Sequence, residues 1–178
     1  MRSKCCRAEV FSCKLFTRCL RCSRETETIS VSPPSFKAER GKVILATVHG
    51  RTEIPNADVQ LLAVGKPKGT SYFRFFKHEP GLAPSWDLVT FTKEHNRKGR
   101  LDGWFERYTE SLIEEWLTRE DSLEAFKMLR KNLNSGLNVG VACYCHHKKR
   151  DVCHLSILRD IMESMGYEVL EAEPIKYK

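Results

Sequence analysis

Three short apolar runs, each closed by a turn residue or a polar loop, constrain this chain more than any other feature. They are KVILATVHG (Lys42–Gly50), DVQLLAVG (Asp58–Gly65) and NVGVACYC (Asn138–Cys145). Continuous rather than alternating apolar character suits strands buried on both faces. A shorter fourth run, YEVLEAE (Tyr167–Glu173), reads the same way. Between these runs the apolar residues instead recur with a period of about 3.6. Trp104, Tyr108, Leu112 and Trp116 recur every fourth position, as do core-facing residues on a helix. Leu123, Phe126, Leu129 and Leu133 form a second such face, closed by Gly136. Leu155, Leu158, Ile161, Met162 and Met165 form a third. Pro84 and Ser85 mark a further helix start, and Asp102 is a candidate cap for the Trp104 helix. Strands alternating with helices define a single α/β domain. Its sheet is expected to be mainly parallel, with about four strands flanked by helices.

Domain organisation follows from charge and cysteine placement. Residues 1–24 contain seven Lys or Arg against one acid, so they carry six of the seven net positive charges in a chain of 178 residues. The basicity belongs to this segment, and the remainder is close to neutral. Five of the eight cysteines, Cys5, Cys6, Cys13, Cys19 and Cys22, also lie there, followed by a Ser-, Thr- and Pro-rich stretch. Residues 1–40 are therefore expected to be a basic, cysteine-containing, poorly ordered extension, with the α/β domain at 41–178. Cys19 and Cys22 make a C-x-x-C pair, so a zinc knuckle and an Arg-rich transit peptide are the alternatives for this segment. No stretch is apolar enough to cross a membrane, and the clustered cysteines do not resemble a disulfide-stapled secreted domain. A cytoplasmic protein with no membrane partner is the expectation.

The chemistry is concentrated in ACYCHHKKRDVCH, Ala142–His154. This stretch is a strand end, a short loop and a helix start, and open α/β folds bind ligands at the carboxyl ends of their strands. Cys153 falls at a helix N-terminus, where backbone N–H groups favour a thiolate, with His154 adjacent. The candidate catalytic residues are accordingly Cys153, His154, Cys145 and His147. Lys148, Lys149 and Arg150 would hold an anionic substrate, a nucleotide or nucleic acid, with Tyr144 and Tyr108 lining the pocket. The same stretch offers a metal set, Cys143, Cys145, Cys153 and His154, whose donors suit zinc or iron. Against a metal, Cys143 and Cys145 form C-x-C rather than C-x-x-C, and four adjacent cations disfavour a divalent ion. A bland reading remains for each: Cys143 as a small core residue and HHKKRD as a solvated turn.

Other clusters weigh less. Tyr72, Phe73, Phe75 and Phe76 interleave with Arg74, Lys77 and His78, a pattern that stacks bases but more often packs beneath a loop. Glu106, Glu110, Glu114 and Glu115 read as a solvated helix face.

LAPSWDLV (Leu82–Val89), WFERYTESLIEEWL (Trp104–Leu117) and the pattern VACY…CHLSIL together resemble the YeaO-like proteins, domain-of-unknown-function family 488. The resemblance spans about residues 42–170. It implies an α/β fold and a pocket around the pairs Cys143-Tyr144 and Cys153-His154. The chain departs from the family pattern at Cys145, where an acid is expected, and at Leu155, where an arginine is expected. The leading expectation is a thiol-dependent enzyme acting on an anionic substrate. The alternatives are a non-catalytic regulator binding nucleic acid or protein through the basic loop and tail, and a Cys/His metal protein.

Overall fold

A computed structural model describes residues 39–49, 51–65, 74–97, 103–145 and 153–173, together with four short strands nearer the N-terminus. Arg2–Ser3 pairs with Thr28–Ile29, and Val10–Ser12 with Thr17–Cys19, both antiparallel. The rest of residues 1–38 lies outside the described residues, and most of the expectation for 1–40 lies there with it.

The domain begins with β1 (Val43–Thr47) and β2 (Val59–Leu62), followed by β3 (Lys77–His78). Helices α1 (Trp86–Arg97), α2 (Trp104–Thr118) and α3 (Glu120–Asn134) come next. The chain then forms β4 (Val139–Cys143), α4 (His154–Ser164) and β5 (Val169–Glu171). The five strands form one sheet in the order β3-β2-β4-β1-β5, and every described pairing is parallel. The α/β class is as the sequence implies, but there are five strands rather than about four. The extra strand is the two-residue β3, at the end of the aromatic and cationic run Tyr72–His78. Two residues carry no periodicity, and Pro80-Gly81 follow one residue later.

Every residue of β1 and β4 is buried, as expected for central parallel strands. Residues on the pleat alternate between faces, so Val139, Val141 and Cys143 share one face while Gly140 and Ala142 share the other. The connection from β1 to β2 crosses over β4 on the Gly140 face. A Cβ on Gly140 would lie 2.7 Å from Ile54 Cδ1 and 3.0 Å from Ala57 Cβ, so the crossover packs directly on bare backbone.

The α2 stripe of Trp104, Tyr108, Leu112 and Trp116 is buried, as its spacing implies. The Asp102 cap lies outside the described residues, and the residue preceding Trp104 is Gly103 in the left-handed region, φ 74°. Gly136, with φ 85°, closes α3 as read. The glutamate ladder is only partly a solvated face. Glu106, Glu110 and Glu114 are exposed, but Glu115 accepts hydrogen bonds from the backbone N–H of Ser85 at 2.8 Å and from the Ser85 hydroxyl. It thereby fastens the start of α1 to α2. Of the aromatic run, Phe76 is buried, Phe75 is exposed, and Tyr72 and Phe73 lie outside the described residues. Among those residues no helix is long and apolar enough to cross a membrane.

Candidate functional site

The register brings the carboxyl ends of three strands to one level. Thr47 of β1 pairs with Cys143, and Leu62 of β2 with Ala142. Val48 N–H donates to the Cys143 carbonyl at 3.0 Å, and Ala63 N–H to the Ala142 carbonyl at 2.8 Å. The ledge so formed holds Cys143 as the last residue of β4 and Ala63 just beyond β2. Helix α4 starts against this ledge.

Cys153 is the N-cap of α4. Its carbonyl accepts from Ser156 N–H at 2.9 Å and from the Ser156 hydroxyl at 2.6 Å. Its thiol makes no capping bond and turns to the cluster instead, 3.5 Å from Cys143 Sγ and 3.7 Å from His154 Nδ1. His154 opens the helix, and its Nε2 lies 3.0 Å from the Ala63 carbonyl. A carbonyl only accepts, so Nε2 carries the proton, and in the neutral ring Nδ1 presents its lone pair to the sulfurs. Cys145 completes the group. Its backbone N–H donates to Cys143 Sγ at 3.3 Å.

Cys143, Cys145 and Cys153 are free thiols, and one donor atom from each, with one from His154, lies within 4.8 Å of all the others. Cys143, Cys153 and His154 are 1%, 3% and 6% exposed; Cys145 is only half-buried.

Electrostatics split the thiols. Hydrogen bonds with Cys145 and Cys153, together with burial, hold the Cys143 thiol well above its usual range. Hydrogen bonds with Cys143 and Cys145 hold Cys153 well below it against burial, with His154 assisting. For His154, burial opposes the charged ring, but the Cys153 thiolate outweighs it and the imidazole is pushed up to about 10. Tyr108 faces the same sulfurs from α2; burial first, and then the three cysteines, raise its hydroxyl, so it stays a neutral phenol.

The sequence-derived residues thus divide three ways. Cys143, Cys145, Cys153 and His154 converge. Tyr108 is buried on the α2 side, and Tyr144 is half-buried on the bend after β4. His147, Lys148, Lys149 and Arg150 lie outside the described residues. Two contributors were not foreseen. The Ala63 carbonyl orients His154. His49, exposed at the end of β1, donates from Nε2 to the Tyr144 carbonyl at 2.9 Å. Its place in the closing VHG of the run KVILATVHG, at a strand's carboxyl end, was the available signal.

Fold and site together define a parallel α/β protein with a buried Cys/His cluster where the carboxyl ends of its strands meet a helix start. The family model described as "Active DUF488-N3 subclade" matches residues 58–166. The chain belongs to this family, the YeaO-like domain-of-unknown-function family 488. No curated protein and no solved structure matches it.

Proposed function

We propose that this chain is a metal-binding protein, with zinc held by Cys143, Cys145 and Cys153 through sulfur and by His154 through Nδ1. One observation carries the reading: four donor atoms of the kinds zinc prefers lie within 4.8 Å of one another. In a tetrahedral site with Zn–S bonds of about 2.3 Å, neighbouring sulfurs stand about 3.8 Å apart. The Cys143–Cys153 and Cys153–His154 separations, 3.5 and 3.7 Å, are close to that edge. The surroundings support the same reading. A ligating imidazole usually gives its other N–H to a carbonyl or carboxylate, and His154 gives its own to Ala63. The amide of Cys145 donating to Cys143 sulfur suits a thiolate.

A free nucleophile at Cys153 has less support, since a residue only 3% exposed offers a substrate little approach. A C-x-C pair is also no obstacle: Cys143 ends the strand, and the bend after it brings the Cys145 sulfur to within 4.8 Å of the other three donors.

Metal analysis of the purified full chain tests the proposal. About one zinc ion per chain should persist when the five N-terminal cysteines are replaced by serine, and should be lost in Cys143→Ser and Cys153→Ser. Retention of zinc in both single variants would exclude this cluster as the site.

A further inference from the structure

The four donors are not equivalent, and the difference points to what the centre does. Three sit on the ends of regular elements and are covered. Cys143 closes β4, inside the ladder with Thr47. Cys153 and His154 form the first turn of α4, fixed by Ser156 and by the Ala63 carbonyl. Cys145 lies on the bend beyond β4 and is the one of the four whose side chain is not buried.

We propose that the Cys145 position of this centre is exchangeable: a small ligand with an anionic donor atom replaces the Cys145 thiolate while Cys143, Cys153 and His154 keep the metal. This rests on the metal reading above. Two features make the exchange easy at this residue. Its backbone is anchored independently of its sulfur, because the Cys145 N–H already donates to Cys143 Sγ. The sulfur therefore leaves by a side-chain rotation, with the main chain in place. The charge also balances. A dication with three thiolates sums to one negative charge, and a monoanion entering for one thiolate leaves that sum unchanged. No new buried charge is created. In the exchange, a lone pair of the entering donor forms the new metal bond. The metal–Cys145 bond breaks with its electron pair staying on sulfur, which takes a proton from solvent. The position opens at the carboxyl end of a parallel sheet, where α/β proteins receive their ligands. His49, at the end of β1, donates to the carbonyl of the neighbouring Tyr144 and so stands at the rim.

Cobalt(II) in place of zinc makes the exchange visible. The full chain, with Cys5, Cys6, Cys13, Cys19 and Cys22 replaced by serine, is loaded with cobalt and titrated with sodium azide. Saturation should change the ligand-field bands and remove about a third of the sulfur-to-cobalt charge-transfer intensity, as three thiolates become two. Cys145→Ala should keep its cobalt with that reduced intensity from the outset, whereas Cys143→Ala and Cys153→Ala should lose it. A spectrum unmoved by azide overturns the exchange while leaving the metal centre standing. So does loss of cobalt from a folded Cys145→Ala, checked by circular dichroism. A chain that takes up no cobalt at the cluster overturns both.

Discussion

His154→Ala separates what the imidazole does for the fold from what it does for a metal. In the metal-free chain the substitution has two effects. It leaves the Ala63 carbonyl, buried and 3.0 Å from Nε2, without its imidazole donor, and an unsatisfied buried acceptor costs about 1–3 kcal/mol. It also removes the apolar part of a ring that is 6% exposed, worth about 1 kcal/mol. The sum is about 2–4 kcal/mol. With metal bound a further loss is expected. Free zinc at about a thousand times its dissociation constant stabilises the native state by about 4 kcal/mol. A centre deprived of one of four ligands forfeits most of that. The wild-type-to-variant gap should therefore be about 6–8 kcal/mol in buffered zinc and about 2–4 kcal/mol after chelation. Urea titration under reducing conditions measures it, followed through the fluorescence of the buried Trp104 and Trp116. A gap of the same size with and without chelator would refute the metal ligation of His154. A gap that vanishes on chelation would refute the role of the Ala63 hydrogen bond.

Two further predictions concern the scaffold. Gly140→Val forces a branched side chain onto Ile54 and Ala57, which already lie within 3.1 Å of an added Cβ. The urea midpoint should fall by the equivalent of about 1–3 kcal/mol, the usual range for overpacking, and an unchanged midpoint would mean that the crossover does not rest on β4. Asp121→Asn removes a carboxylate that the Arg119 guanidinium holds below its usual range, at 2.6 Å and half-exposed. Screening keeps the loss within about 1 kcal/mol. A depressed carboxylate stabilises above its unfolded pKa and ceases to as pH falls through its folded one, so the gap between wild type and variant should be present at neutral pH and close on acidification. A gap that widens in acid would reverse the sign.

The fold was legible because its central strands are long enough to carry a pattern. Val43–Thr47 and Val139–Cys143 are buried along their whole length, and a strand covered on both faces has no choice but an unbroken apolar run. The Trp104 stripe was legible for the same reason at helical spacing. β3 was not, because Lys77 and His78 owe their strand conformation to pairing with Leu61 and Leu62, a tertiary cause that leaves no local trace. The candidate site divides along the same line. Cys153 at a helix start follows from where the apolar period of α4 begins, and Cys143 at a strand end from where the β4 run stops. What the residue types could not convey is that these ends lie at one level. That depends on the register of β4 with β1 and β2, which puts Ala63 91 residues before His154 yet within hydrogen-bonding distance of it. A backbone carbonyl looks the same at every position in a sequence, so the group that fixes the tautomer of His154 has no signature there. Spacing rules for zinc sites describe ligands on tight knuckles. Here the carboxyl end of a central strand, the bend after it and a helix start supply the convergence instead, so Cys143, Cys145 and the C-H pair of α4 make one cluster without any knuckle between them.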